Sequence, residues 1–134
     1  MTSLSVDDLI ALHDEALALG NGGGEGIRSY QQLSSAAFQP YQSVFGEDAY
    51  PTIAEKAAAH AFFLAEGQPF IDGNKRTAAL ALAVFLDLND HELYETSDTE
   101  LADILIDLGS GTIEQGEFFG WVCNHTKPKP QGGC

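Results

Sequence analysis

Gln68-Pro69-Phe70-Ile71-Asp72-Gly73-Asn74-Lys75-Arg76-Thr77 is a short loop that runs straight into a helix, and it joins the two most apolar segments of the chain. On its N-terminal side, Ile53–Gly67 (IAEKAAAHAFFLAEG) has helical spacing of apolar residues. Pro51 and Thr52 precede that segment, Gly67 closes it, and Pro69 forbids its continuation. On the other side, Asn74–Leu88 is the more apolar of the two, and reads as the central, most buried helix. The fold is therefore expected to centre on a helix–loop–helix at 53–88.

The first turn of a helix presents unpaired backbone N–H groups and a positive dipole end. Gly73 would let an anion approach that backbone closely. Lys75 and Arg76 add two cations to the same turn, where the dipole disfavours them, and a bound phosphate gives a reason for their placement. Asp72 would repel that phosphate unless a divalent cation lay between them, and a carboxylate with phosphate oxygens is how magnesium is ordinarily held. Phe70 is expected to point inward and fix the loop. A blander reading also fits, a tight solvated connection with Asp72 as N-cap. It accounts for Asp72 and leaves the two cations unexplained; local physics alone keeps both readings open.

Working outward, Ser5 with Asp7 and Asp8 predicts an N-cap and an acidic first turn. Leu9, Ile10, Leu12, Ala16, Leu17 and Leu19 give that helix its apolar stripe, and Gly20 its C-cap. A Gly-rich loop at 20–26 and a short helix at Tyr30–Phe38 follow. Residues 39–52 hold Pro40, Gly46 and Pro51 among Tyr41, Phe45 and Tyr50, so they are expected to form a structured loop or small hairpin packed on the body, or, on a sharper reading, a flap over a binding cleft. Ser97 with Glu100, and Thr112 with Gln115, predict capping boxes for two more helices. The expected architecture is a compact all-α bundle of about six helices with one β-hairpin flap. A single domain is expected over residues 1–126, with a disordered tail at 127–134 and no strands beyond the flap.

The net charge is −14, from 20 acidic and 6 basic residues. Such a chain repels phosphate backbones, so direct nucleic-acid binding is not expected. No apolar run is long enough to span a bilayer, and the N-terminus lacks a basic region ahead of an apolar one, so neither a membrane span nor a signal peptide is expected. Cys123 and Cys134 suggest no disulfide framework, and a cytoplasmic location is the simplest expectation.

The loop resembles the Fic/Doc signature, whose general form is His-Pro-Phe-x-Asp/Glu-Gly-Asn-x-Arg. Eight of the nine positions match or are free; only the first, Gln68, departs. Lys75 at the variable position, with Thr77-Ala78 after it, is similar to the death-on-curing (Doc) branch. AMP-transferring Fic enzymes usually carry a small residue there and a second arginine where this chain has Ala79. Gly26-Ile27-Arg28, Leu33-Ser34-Ser35-Ala36, Tyr50-Pro51-Thr52 and Trp121 extend the likeness over nearly residues 4 to 124.

The resemblance implies a toxin of a toxin–antitoxin module, bacterial, phage or plasmid encoded. Its activity would be transfer of the γ-phosphoryl of ATP to a threonine of elongation factor Tu. Asp72 would hold Mg²⁺. Gly73, Asn74, Lys75 and Arg76 would cradle phosphates, with Lys75 and Arg76 also serving catalysis. Phe45, Gly46 and Tyr50 would belong to a flap that docks the target, and a Phd-like antitoxin would cover the site. Gln68 stands where the family's catalytic histidine acts. A carboxamide cannot take a proton near neutrality, and loss of a general base costs roughly 10²–10⁴-fold in rate. The change is engineered, or natural in a degenerate binder, or offset by another base. His60 lies eight residues upstream of Gln68, on a similar face but ~12 Å away along the axis, and reads as a satisfied interior residue. His13, His91 and His125 have no motif context. An AMP-transferring enzyme and a non-catalytic binder of nucleotide or antitoxin stay open as alternatives.

Overall fold

A computed structural model describes residues 1–20 and 23–130. Among them are six α-helices: α1 (Val6–Leu19), α2 (Tyr30–Phe38), α3 (Ile53–Gly67), α4 (Asn74–Leu88), α5 (Asp98–Gly109) and α6 (Gln115–Asn124). A 3-10 turn at Gln39–Tyr41 follows α2. Two antiparallel pairs accompany the helices, β1 (Ser43–Val44) with β2 (Glu47–Asp48), and β3 (His91–Leu93) with β4 (Thr126–Pro128). The fold is the expected mostly helical bundle with a hairpin.

α3 and α4 pack along one another at the centre, α2 and α6 lie on α3, and α1 and α5 lie on α4. Alanine makes the close approach of the central pair possible. Ala57, Ala58, Ala61, Ala78 and Ala81 are fully buried, and Leu64, Leu82, Phe85, Leu86 and Phe118 fill the space around them. Each such fully buried large side chain contributes about 1.5–3 kcal/mol of transfer free energy. No helix among the described residues is long and apolar enough to cross a membrane.

The caps mostly follow the sequence. Ser5 and Asp8 form a full capping box at α1. Thr52 and Ser97 accept the Glu55 and Glu100 backbone N–H groups at α3 and α5, but the expected Ser97–Glu100 box is only half formed, since the Glu100 carboxylate accepts from the Thr96 hydroxyl at 3.0 Å. The box expected from Thr112 and Gln115 does not form. The N-cap of α6 is Glu114, with no side-chain bond. Gly111, at φ 79°, turns the chain back over the end of α5, where Thr112 and Ile113 both donate to the Asp107 carbonyl and the Thr112 hydroxyl pairs with Ser110.

Two further expectations need correction. Strands exist beyond the flap, and the chain after residue 126 is ordered further than expected. Thr126–Pro128 pairs with His91–Leu93, and the Lys129 N–H then donates to the Asp90 carbonyl at 2.8 Å. Lys129 forms an ion pair with Asp87, and Lys127 with Glu92. Strands of three residues, one containing proline, offer too little periodicity to be read locally. The remainder of the expected tail, 131–134, and residues 21–22 of the expected loop lie outside the described residues.

Candidate active site

α3 ends in a left-handed turn at Gln68, which has φ 45° and ψ 59°. That conformation costs a non-glycine residue roughly 1–2 kcal/mol, so something must hold it. Arg28 does. Its Nε donates to the Gln68 carbonyl at 2.7 Å and its Nη2 to the Gly67 carbonyl at 2.8 Å. Arg28 and Ser29 both donate their N–H groups to the Pro69 carbonyl, at 2.7 and 3.0 Å, and Ile71 donates to Gly26 at 3.2 Å. Residues 26–29 therefore run along the loop as a strand-like brace, with a bridge between Ile27 and Phe70. The Gln68 residue itself is exposed.

Phe70 does point inward, at 1% exposure. It stacks on the ring of buried His13, with centroids 3.8 Å apart and 5° between planes. His13 Nε2 lies 2.8 Å from the Asp72 carbonyl. A carbonyl can only accept, so Nε2 carries the hydrogen. On the far side, the Asn74 carboxamide bridges both backbone groups of Phe70, donating to its carbonyl at 2.9 Å and accepting its N–H at 3.0 Å. The oxygen and one amide hydrogen of that side chain are committed to the loop.

α4 starts without a side-chain cap. Its N-cap is Gly73 at φ 78°, where an added Cβ would come within 3.2 Å of Leu17 Cδ2. The first intrahelical acceptor serves Thr77, whose N–H and hydroxyl both reach the Gly73 carbonyl. Among the described residues nothing accepts from the N–H groups of Asn74, Lys75 and Arg76. Asp72 is not the cap of the blander reading. Its carboxylate accepts from the Gly73 N–H at 2.8 Å and the Gly24 N–H at 3.4 Å, and the residue stays exposed.

The two cations turn away from each other. Arg76 donates to the Ala16 carbonyl at 3.2 Å and fills the space beside Gly20, where a Cβ would lie 1.9 Å from its Nη1. Lys75 lies against Gly109, where a Cβ would lie 2.8 Å from its Cε. Each thus reaches the C-terminal end of another helix, α1 or α5, that has no basic residue in its own last turn. What converges at the start of α4 is backbone N–H groups rather than side-chain charge. A cavity of about 590 Å³ opens between α1 and residues 23–26, lined by Asp14, Leu17, Ala18, Gly23, Glu25 and Gly26 and by none of residues 68–77. Leu17 borders Gly73, and Gly23 borders the Asp72 carboxylate. A smaller hollow of about 360 Å³, between residues 3–7 and Tyr30, Phe38 and Tyr41, likewise has none of residues 68–77 in its lining.

In the flap, Phe45 and Gly46 form the tip of the β1–β2 hairpin at φ 52° and 80°. Two positive φ values are the mark of a type I′ turn, in which phenylalanine is strained. Phe45 is fully exposed, at 103%. Tyr50 is not at the tip; it stacks on Phe119 at 5.5 Å and anchors the flap's base. Lys56 ties that base down through Asp48 and the Tyr50 carbonyl.

His60 is fully buried and satisfied, as expected. Its Nδ1 donates to the Ala36 carbonyl at 2.9 Å, and its Nε2 accepts from the Tyr41 hydroxyl at 2.6 Å. Tyr41 in turn accepts from the Leu4 N–H at 2.9 Å. Burial pushes the His60 pKa down to about 4 against the opposing effect of the Ala36 bond, and burial also raises that of Tyr41.

The sequence reading missed His13 as a loop contact and Arg28 as a brace. One signal was available for His13, a polar residue within the stripe Leu9, Leu12, Ala16, Leu17. Arg28 lies 40 residues from its acceptor and had no such signal.

The Fic/DOC family model matches residues 3–86, which run from α1 through most of α4. The protein named Toxin Doc from Mycolicibacterium smegmatis is 40% identical over 85 residues. That match covers 63% of this chain and 65% of the toxin. With the braced left-handed turn, the uncapped helix start and the Asp72-Gly73-Asn74 sequence all inside the matched span, the chain belongs to the Fic/DOC family, on its Doc branch.

Proposed function

We propose that this chain is a Doc-type toxin of a toxin–antitoxin module, a phosphotransferase that acts on a threonine of elongation factor Tu, weakened or silenced by Gln68. The observation that carries the reading is the uncapped start of α4, where three backbone N–H groups lack acceptors among the described residues beside the exposed Asp72 carboxylate. The name of the Mycolicibacterium relative supports the toxin role, and with it an antitoxin partner, for which a Phd-like protein is the proposed kind.

The residues fit Mg²⁺ and ATP. Among the described residues no group of three or more His, Cys, Asp or Glu could hold a metal alone. Asp72 would therefore hold Mg²⁺ only together with phosphate oxygens, which is that ion's usual arrangement. The N–H groups of Asn74, Lys75 and Arg76 would bind the phosphates, and Gly73 keeps the approach clear of a side chain. ATP supplies the phosphoryl group, which passes to the target hydroxyl as its bond to ADP breaks. Gln68 can orient that hydroxyl but cannot take its proton, which then goes to water. Phe45 and Gly46 would meet the target segment at the flap tip, with Tyr50 holding the flap's base.

The test restores the histidine. A left-handed backbone accepts histidine more readily than most residues, so Gln68→His should fold as the parent does. It should raise phosphotransfer by roughly 10²–10⁴-fold and arrest growth. ATP labelled at the γ position should mark elongation factor Tu. Label arriving from the α position would favour AMP transfer instead. A harmless Q68H chain that leaves elongation factor Tu unmodified would end the toxin reading.

A further inference from the structure

We infer that His13 is the positioning residue of the loop, holding Asp72 and Phe70 in register with the start of α4. The inference rests on the functional reading above for its consequence and on geometry for its substance. His13 is 3% exposed and lies on α1, 59 residues from Asp72. Two independent contacts tie it to the loop. Its ring covers Phe70 in near-parallel stacking, and its Nε2–H meets the Asp72 carbonyl at 2.8 Å.

The geometry leaves the loop few other inner supports. Among the described residues Asp72's carboxylate is held by backbone N–H groups alone, those of Gly24 and Gly73, and Asn74 holds Phe70 from the α4 side. The Asp72 carbonyl belongs to the peptide unit whose other half is the N–H of Gly73. A bond to that carbonyl therefore sets the tilt of the peptide that opens α4 and aims the Asp72 side chain. A Cβ on Gly73 would lie 3.7 Å from His13 Cδ2 and Nε2, so the ring also forms the wall behind the glycine. The contacts of His13 are with Phe70, Asp72 and Gly73, and it acts through them.

The test uses the full chain and two variants. His13→Phe keeps a stacking ring and removes the donor, whereas His13→Gln keeps a donor and removes the ring. Amide hydrogen exchange is read at Phe70 and Ile71 in the loop and at Leu82 and Phe85 in the core. Losing one hydrogen bond of ordinary strength predicts about tenfold faster exchange at the loop amides of H13F, with the core amides unchanged. H13Q should recover most of that protection. Loop exchange in H13F that matches the parent would overturn the inference, as would H13Q exchanging as fast as H13F. Should H13F fail to fold, H13Q decides alone: loop amides within about threefold of the parent support the donor role, and a larger loss removes it.

Calorimetry with Mg·ATP supplies the functional arm. H13F should bind roughly tenfold more weakly than the parent, with recovery in H13Q. A parent chain that binds no Mg·ATP overturns the functional reading and leaves the exchange result to judge His13. Normal nucleotide affinity in H13F alongside a loosened loop overturns the positioning role.

Discussion

Acid should destabilise this protein through one residue, His60, in a defined pH window. The ring has no exposed surface and its pKa is lowered from 6.5 to about 4 by burial. In the unfolded chain the same histidine protonates near its ordinary value of about 6.5. Between those two values the unfolded state binds one more proton than the native state, so stability rises with pH across the window and is lost as pH falls through it. Above about 6.5 both states are neutral and the histidine adds no slope. Each pH unit of displacement corresponds to about 1.36 kcal/mol, so full expression costs about 3 kcal/mol, and at about pH 5 the loss is about 2 kcal/mol. The cause is local: protonating Nε2 removes the acceptor that Tyr41's hydroxyl uses, and no carboxylate is among the ring's hydrogen-bond partners. The assay is urea unfolding of the parent and His60→Gln from about pH 8 to about pH 5. The difference between the two cancels every other titrating group and should shrink by about 2 kcal/mol toward the acid end. A difference that stays flat, or a His60 ring resonance that titrates near its unfolded value, would refute the reasoning.

Asn74→Ala removes both bonds to the Phe70 backbone and should cost about 2–3 kcal/mol, since two polar groups lose their partner; thermal unfolding checks this, and a loss under about 0.5 kcal/mol contradicts the clamp. Phe45→Asn relieves the left-handed phenylalanine at the hairpin tip and should raise stability by up to about 1 kcal/mol, while weakening any partner that docks on the exposed ring. Unfolding and pull-down read the two effects separately.

The helices and hairpin were legible because their signals are local. Ser5, Thr52 and Ser97 cap where their side chains can reach the next turn, and Pro69 bars α3 from continuing, although the left-handed cap falls on Gln68 rather than Gly67 and is held by Arg28. Pro40, Gly46 and Pro51 marked residues 39–52 as a structured loop or small hairpin, without locating the turn. The β3–β4 pair was not legible, because its strands are far apart in sequence and each holds only three residues. Thr112 looked like a cap from its spacing to Gln115, yet the turn at Gly111 bends it back to α5. At the loop, residue types pointed to an anion seat. The direction of the two cations was a matter of helix geometry: neighbours in sequence on a helix do not face the same way, so Lys75 and Arg76 had to diverge.

That divergence changes the physical role of the cations without removing them from the site. α1, α3 and α5 all end without a basic residue in their last turn, and each has a cation from elsewhere at its C-terminal end: Arg76, Arg28 and Lys75. The remaining three, Lys56, Lys127 and Lys129, pair with carboxylates. A helix C-terminus offers an exposed cation only about 0.3–1 kcal/mol. A charge-assisted bond to a phosphate oxygen is worth about 1.5–3 kcal/mol. A phosphate seated on the N–H groups at the start of α4 would therefore outcompete the end of α5 for Lys75, whereas Arg76 would exchange one charge-assisted bond, to the Ala16 carbonyl, for another. Arg28 differs, since it makes two bonds and holds a strained residue in place. On these magnitudes Lys75 is the cation that such a phosphate would draw, Arg76 would stand near balance, and Arg28 belongs to the frame.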